Sequence, residues 1–186
     1  MADISTYSLK KVKLLRLVII LSLVYSLGLA FLDYFHITSK IEYRLEVMSF
    51  YSVANALLLF WITRSSKSFN IWILYCVLIL AILVFSITMV IYPFSEIRVM
   101  WYFFTIMIAY YVGGRKIGHT TAIASLFIIY YLFLVYDLDF SETANASIII
   151  GILFVSQLSN YFVTILDENE KELYNYQNHL QDMIDK

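Results

Sequence analysis

The longest uninterrupted apolar run in the sequence, residues 71–92, contains no charged residue, no glycine and no proline. About 20 apolar residues are enough for a helix to cross the hydrocarbon core, whereas the strands of a membrane barrel would alternate apolar and polar residues over shorter stretches. The other apolar runs are also long and not alternating, so we expect helical spans. The six predicted spans are residues 14–35, 46–63, 71–92, 97–113, 118–136 and 143–166.

The composition supports a membrane protein. Hydrophobic residues make up 61% of the 186 positions and charged residues 15%, with a mean hydropathy of +0.77, whereas soluble domains are about half apolar. The fourth run is short and lies between Arg98 and Arg115, whose long side chains can reach the interface and extend its effective length. We therefore predict an all-α fold, an integral membrane six-helix bundle formed by residues 1–166.

The positions of the basic residues predict the orientation, because cytoplasmic segments of membrane proteins carry the excess of Lys and Arg. With the N-terminus inside, ten of the 13 basic residues fall on the inner side and three on the outer side. The inner residues are Lys10, Lys11, Lys13, Arg16, Arg64, Lys67, Arg115, Lys116, Lys171 and Lys186. The outer residues are Lys40, Arg44 and Arg98. We expect a multi-pass protein with both termini in the cytoplasm.

The last predicted span passes into the charged stretch 167–186 without a glycine or proline. Apolar and other core-type residues recur there alternately four and three positions apart, which is the pattern of a left-handed coiled coil. The predicted seam consists of Phe162, Leu166, Asn169, Leu173, Tyr176, Leu180 and Met183. We interpret residues 167–186 as a cytoplasmic signalling helix that pairs with a second copy of the chain, in which a core Asn169 would help fix register and a two-chain state.

An amphipathic helix lying on its own bundle or on the membrane surface is the alternative interpretation of this stretch. Membrane-surface helices are typically rich in Lys and Arg, whereas this one begins with Asp167, Glu168, Glu170 and Glu172. The acidic start favours the coiled coil. Because the pattern stops in mid-repeat at Lys186, we expect a linker to an output domain that follows Lys186 in a longer chain or belongs to a separate polypeptide.

Two stretches, MWYFFTIMIAYYVGGRKIG in the fourth span and ENEKELYNYQNHLQ after the sixth, resemble the N-terminal membrane sensor domains of bacterial signalling proteins. In that group the domain commonly precedes a GGDEF diguanylate cyclase domain, and less often a histidine kinase. The resemblance implies a dimeric input module in the bacterial cytoplasmic (inner) membrane. This chain is not expected to be an enzyme itself, since neither the GGDEF motif nor a kinase H-box occurs in it.

Candidate ligand-binding residues lie on the predicted outer side. Asp137, Asp139 and Glu142 could supply oxygen ligands to a hard divalent cation or bind a cationic ligand, although outer loops are also acidic simply because Lys and Arg are kept inside. His36, Arg44 and Arg98 could sense pH or bind an anion, or could merely be exposed. The other histidines fall on the inner side, away from His36, so no shared haem is expected, and no other cofactor or resident metal is predicted.

Within the sixth span Gln157, Asn160 and Thr164 share a helix face. They could be hydrogen-bonding contacts between helices, and the same face could adopt two arrangements and transmit a signal.

Three functions remain open. The first is a membrane sensor domain that passes a stimulus through its last helix to a cytoplasmic output domain, with the lipid bilayer, a second copy of the chain and an unidentified stimulus as partners and no nucleic acid. The alternative is a small membrane transporter or channel, although such proteins generally place ionisable groups deep in the membrane and no predicted span has one near its midpoint. The third is an assembly protein that uses the coiled coil for docking.

Overall fold

A computed structural model describes residues 2–35, 43–64, 70–91, 99–136 and 140–184, with side chains described outside residues 2–8 and 142. This part of the chain is all-helical. The six helices are α1 (Ala2–Tyr34), α2 (Arg44–Arg64), α3 (Ile71–Ile91), α4 (Met100–Gly113), α5 (Arg115–Val135) and α6 (Glu142–Ile184). The all-α expectation and the uninterrupted last helix are confirmed.

Five of these helices, all except α4, are long and apolar enough to cross a membrane. Helix α4 has 14 residues, about 21 Å at 1.5 Å per residue, which is shorter than the roughly 30 Å hydrocarbon core. The outer faces of the long helices carry large apolar side chains, for example Val24 on α1, Phe127 on α5 and Phe154 on α6, each more than 60% exposed. Such faces are expected of a multi-pass protein surrounded by lipid.

The shortest helix is the most enclosed. Helix α4 packs against α1, α3, α5 and α6, and several of its side chains have no solvent-accessible surface. These are Tyr102, Ile106, Ala109, Tyr110 and Val112. Because α4 contacts four other helices, a displacement of α4 would change its packing against each of them.

Hydrogen bonds between small polar side chains and tyrosines join neighbouring helices. Ser52 Oγ donates to Ser26 Oγ at 2.8 Å between α2 and α1, and the hydroxyls of Ser86 and Tyr102 are 2.6 Å apart between α3 and α4. In a bilayer such bonds contribute about 0.6 kcal/mol each on average, and small residues such as serine also let helices approach closely.

The turn between α4 and α5 is shorter than the sequence suggested. The predicted spans left residues 114–117 as a connection, but α5 begins at Arg115, so Gly114 alone separates the two helices. Gly114 has φ 80° and ψ −179°, a region of backbone conformation essentially confined to glycine. One residue of this kind reverses the chain, which is why the basic GGRKIG stretch forms a turn and a helix start rather than a loop.

Candidate transmission site between the bundle and the end of helix α6

The buried hydroxyl of Tyr110 joins three helices. It lies 2.7 Å from Nδ1 of His119 on α5 and 2.7 Å from Oγ of Ser156 on α6. Tyr110 is fully buried and Ser156 nearly so, while His119 is exposed at the surface of the bundle. Because a phenol has one proton, the tyrosine donates to one neighbour and accepts from the other. The pattern of donors therefore depends on which nitrogen of His119 carries a proton.

Two glycines place this tyrosine. Gly114 turns the chain so that α5 runs back alongside α4, and Gly118, in the second turn of α5, lies directly against the Tyr110 ring. The rings of Tyr110 and His119 meet edge to face, with centroids 5.2 Å apart. The GGRKIG stretch thus brings the α4 and α5 backbones close enough for the hydroxyl to reach α6.

Two ion pairs fasten α6 where it leaves the bundle. Arg115 Nη2 at the start of α5 is 3.6 Å from Asp167 Oδ2, and Lys10 Nζ on α1 is 3.2 Å from Glu170 Oε1. All four side chains are at least a third exposed, so each pair contributes at most about 1 kcal/mol and is weakened by salt. These contacts position α6 but are too weak to prevent it from moving.

Beyond this point the described side chains of α6 are exposed. Residues 171–184 are all exposed, and we call residues 167–184 the extension. The predicted seam lies on the exposed surface: Phe162, Leu166, Leu173, Tyr176, Leu180 and Met183 are between 45% and 69% exposed, and Asn169 is exposed as well. The structure therefore leaves an apolar stripe along the extension open for contact with another surface.

The face of α6 that packs on the bundle is a different one. Ile148, Ile152 and Ser159 are buried against the other helices, and Val163 is the last buried residue on this side. A residue four positions after Val163 is Asp167, and three further on is Glu170, so the bundle-facing stripe ends in the two ion pairs. In a straight helix, residues spaced seven apart point in directions that differ by about 20° per repeat. Over several repeats this rotation places the seam residues on a different face from the residues that pack on the bundle.

The polar face predicted within the sixth span lies beside the interhelical contact. Gln157 is exposed, and Asn160 is half-buried with its Oδ1 unpaired in the described structure. Thr164 Oγ1 donates to the Asn160 carbonyl at 2.9 Å, within α6 itself. The bond to another helix is made by Ser156, one residue before Gln157.

Most of the ligand-binding candidates predicted for the outer side lie outside the described structure. His36, Arg98, Asp137 and Asp139 are among the undescribed residues, as is the side chain of Glu142. Arg44 is among the described residues and forms a bidentate ion pair with Asp33, in which its Nε donates to Oδ2 at 2.6 Å. Since both side chains are at least 85% buried, Arg44 fastens the α1 end to the α2 start. Among the described residues no group of three His, Cys, Asp or Glu side chains could hold a metal ion.

The sequence analysis did not predict Tyr110 or His119 as functional residues. It predicted Gln157 as a contact between helices, whereas the contact is made by the adjacent Ser156. Tyr110 and Ser156 are 46 residues apart in the chain, and no local spacing links them. The one signal in the sequence was the Gly-Gly pair followed four residues later by Gly118, because such glycines permit close helix approach.

No protein-family model matches the chain, and the comparisons with curated proteins and with solved structures likewise found no match.

Proposed function

We propose that this protein is a membrane sensor domain that transmits a stimulus through α6 and its extension to a cytoplasmic output domain of the diguanylate cyclase type. The single observation that carries the proposal is the form of α6. It is one helix of 43 residues, about 65 Å long, whose first half is packed in the bundle and whose end is fully exposed. A stiff helix of this kind converts a small displacement inside the bundle into movement outside it.

The contacts of α6 support this role. Its main neighbours are α4 and α5, and the Tyr110 hydroxyl links it to both. A shift or rotation of α4 changes the position of Ser156, and the weak ion pairs at Asp167 and Glu170 allow α6 to follow. Packed interfaces usually have a small number of discrete arrangements, so the bundle can hold α6 in an active and an inactive position.

A second copy of the chain is the proposed occupant of the apolar stripe. Leu166, Leu173 and Leu180 are spaced seven residues apart and exposed, as in the core of a parallel two-stranded coiled coil. A parallel arrangement is the one compatible with two helices leaving the same face of a membrane. The paired extensions would hold two output domains at a distance and angle set by α6.

The orientation is part of the proposal. Lys10 and Arg115 lie where the extension leaves the bundle, and Arg16 donates to the carbonyl of Ile62 near the end of α2 at the same side. Since basic residues favour the cytoplasmic side, this end faces the cytoplasm of a bacterial cell and both termini lie inside. Helix α4 then counts as the fourth of the six proposed spans.

The test is a chimera in which the chain is joined after Ile184 to a diguanylate cyclase catalytic domain that lacks its own input region. Insertions of one to seven residues rotate the output domains around the coiled-coil axis. We expect cyclic diguanylate production to depend on insertion length and to return to the starting level with seven residues, because seven residues restore the heptad phase.

A control chimera carries Leu173→Asp and Leu180→Asp on the stripe and should lose the dependence on insertion length. Production that is the same for every insertion, or that is unaffected by the two aspartates, would contradict the proposal. The small transporter or channel would then become the leading interpretation.

A further inference from the structure

A cavity of about 350 Å³ lies between helices α1, α2, α3 and α4. This volume is within the range of sites for small molecules, roughly 300–1,000 Å³. Its floor is formed by buried residues, among them Tyr51, Leu78, Ala81 and Thr105. All 13 lining residues are uncharged, so the cavity suits a neutral ligand.

One side of the cavity opens towards the space occupied by lipid. Leu21 and Tyr25 on α1 and Phe104 on α4 line it and are between 40% and 59% exposed. These three residues lie on the outer faces of helices within their apolar lengths. A molecule dissolved in the bilayer can therefore enter between α1 and α4 without crossing water.

Aromatic rings form much of the wall. Trp101 is the centre of the group: its ring stacks on Phe85 with centroids 5.5 Å apart, and lies 4.6 Å from Tyr25 and 5.9 Å from Phe104. Flat aromatic surfaces favour offset or edge-on contact with another ring, worth about 0.5–1.5 kcal/mol per pair beyond the burial of area. This wall favours a planar ring over a saturated chain.

The polar atoms of the lining are few and lie on neighbouring helices. Ser22 on α1 and Tyr51 on α2 both line the cavity, and each carries a hydroxyl group. Asn55, one turn from Tyr51, donates through Nδ2 to the Tyr51 carbonyl at 2.8 Å and steadies this part of α2. A pair of hydroxyls in an apolar pocket fixes the orientation of a ligand that carries one accepting oxygen.

We propose that this cavity binds a neutral, membrane-dissolved ring compound with a hydrogen-bond-accepting oxygen, the ring against Trp101 and the oxygen at Ser22 and Tyr51. Its use as the stimulus site rests on the sensor function proposed above, whereas binding itself does not. Trp101, Phe104 and Thr105 line the cavity from α4, and α4 also carries Tyr110, so an occupant would act on the helix that contacts α6.

The fluorescence of Trp101 provides a direct test. In the full chain in lipid nanodiscs, Trp61→Phe and Trp72→Phe leave Trp101 as the one tryptophan among the three in the sequence. Decyl-benzoquinone, a ring probe with accepting oxygens that quenches tryptophan on contact, is titrated into the nanodiscs. We expect saturable quenching, and about tenfold weaker binding for Ser22→Ala with Tyr51→Phe, because the oxygen then loses its donors.

The matched control retains Trp72 alone, which lies on α3 away from the cavity and is 68% exposed. Its quenching should rise linearly with probe concentration without saturating. Dodecanol, a chain with a hydroxyl and no ring, should not displace the quinone. Quenching of Trp101 that is as unsaturable as that of Trp72, or displacement by dodecanol at the same concentration, would overturn the assignment.

The test also separates the two proposals. Saturable binding without any effect of quinone on the chimera's cyclic diguanylate production would keep the binding site and remove its role as the stimulus site. A failure of the chimera to respond to insertion length would bear on the sensor function and leave the binding result unchanged.

Discussion

Gly118 on α5 lies against the ring of Tyr110 on α4 so closely that a Cβ atom on Gly118 would overlap the ring. In this position the Tyr110 hydroxyl reaches both His119 and Ser156. The hydrogen bond between α4 and α6 therefore depends on having a glycine at position 118 of α5.

Gly118→Ala should destabilise the bundle by about 1–3 kcal/mol, the usual cost of forcing extra volume into a packed core. Gly28→Ala is the matched control, because Gly28 is also helical and nothing lies within 4 Å of the added methyl group. The control should be stabilised by about 0.5–1 kcal/mol through helix propensity. Unfolding in mixed micelles with increasing SDS measures both, and equal effects of the two alanines would contradict the packing described.

Removing the Tyr110 hydroxyl tests the link between helices without changing shape. Tyr110→Phe should cost about 0.5–2 kcal/mol for the bonds to His119 and Ser156. Tyr102→Phe is the comparison, because Tyr102 is equally buried on α4 but bonds to Ser86 on α3. A spin label at position 174 should become more mobile in Tyr110→Phe alone. The same mobility in both variants would show that the hydroxyl does not hold α6.

Gly114→Ala should destabilise the protein by about 1–3 kcal/mol, because its φ of 80° with ψ near 180° is a conformation essentially restricted to glycine. Space is not the reason, since nothing lies within 4 Å of the position of the added methyl. Calorimetric or SDS unfolding would show the loss. An unchanged stability of Gly114→Ala would mean that the α4–α5 turn does not require a residue with positive φ.

The helices could be predicted from the sequence because five of the six apolar runs are long and the chain has one proline and five glycines. The uninterrupted course of α6 followed from the same signal. The one-residue turn at Gly114 could not be predicted, because basic residues around a Gly-Gly pair are also typical of loops.

The residue of α6 that bonds to Tyr110 could not be predicted from the sequence. Ser156 and Gln157 are adjacent and both polar, and the choice between them depends on how α6 is rotated against α4. That rotation is set by the whole packed interface, including Phe103 against Gly151, where an added Cβ would lie 2.7 Å from the Phe103 ring. No spacing within α6 specifies it.

Neutralising the ion pairs tests how firmly the extension is held. Asp167→Asn with Glu170→Gln should increase the mobility of the label at position 174, while changing stability by less than about 2 kcal/mol in total because both pairs are partly exposed. Raising the salt concentration should reproduce the effect in the unaltered chain. A mobility that is insensitive to both salt and the substitutions would show that the two pairs do not position α6.

The pairing of two extensions is the central claim, and disulfide cross-linking in native membranes tests it most directly. Single cysteines are placed from residue 162 to residue 184 in a Cys76→Ser background, because Cys76 is itself exposed on α3. Cross-linking should peak at Leu166, Leu173 and Leu180 and fall to a minimum at Lys171 and Asn178, since facing core positions come within disulfide reach in a parallel coiled coil. Cross-linking without this seven-residue period, or with its maximum at Lys171 and Asn178, would contradict the paired signalling helix.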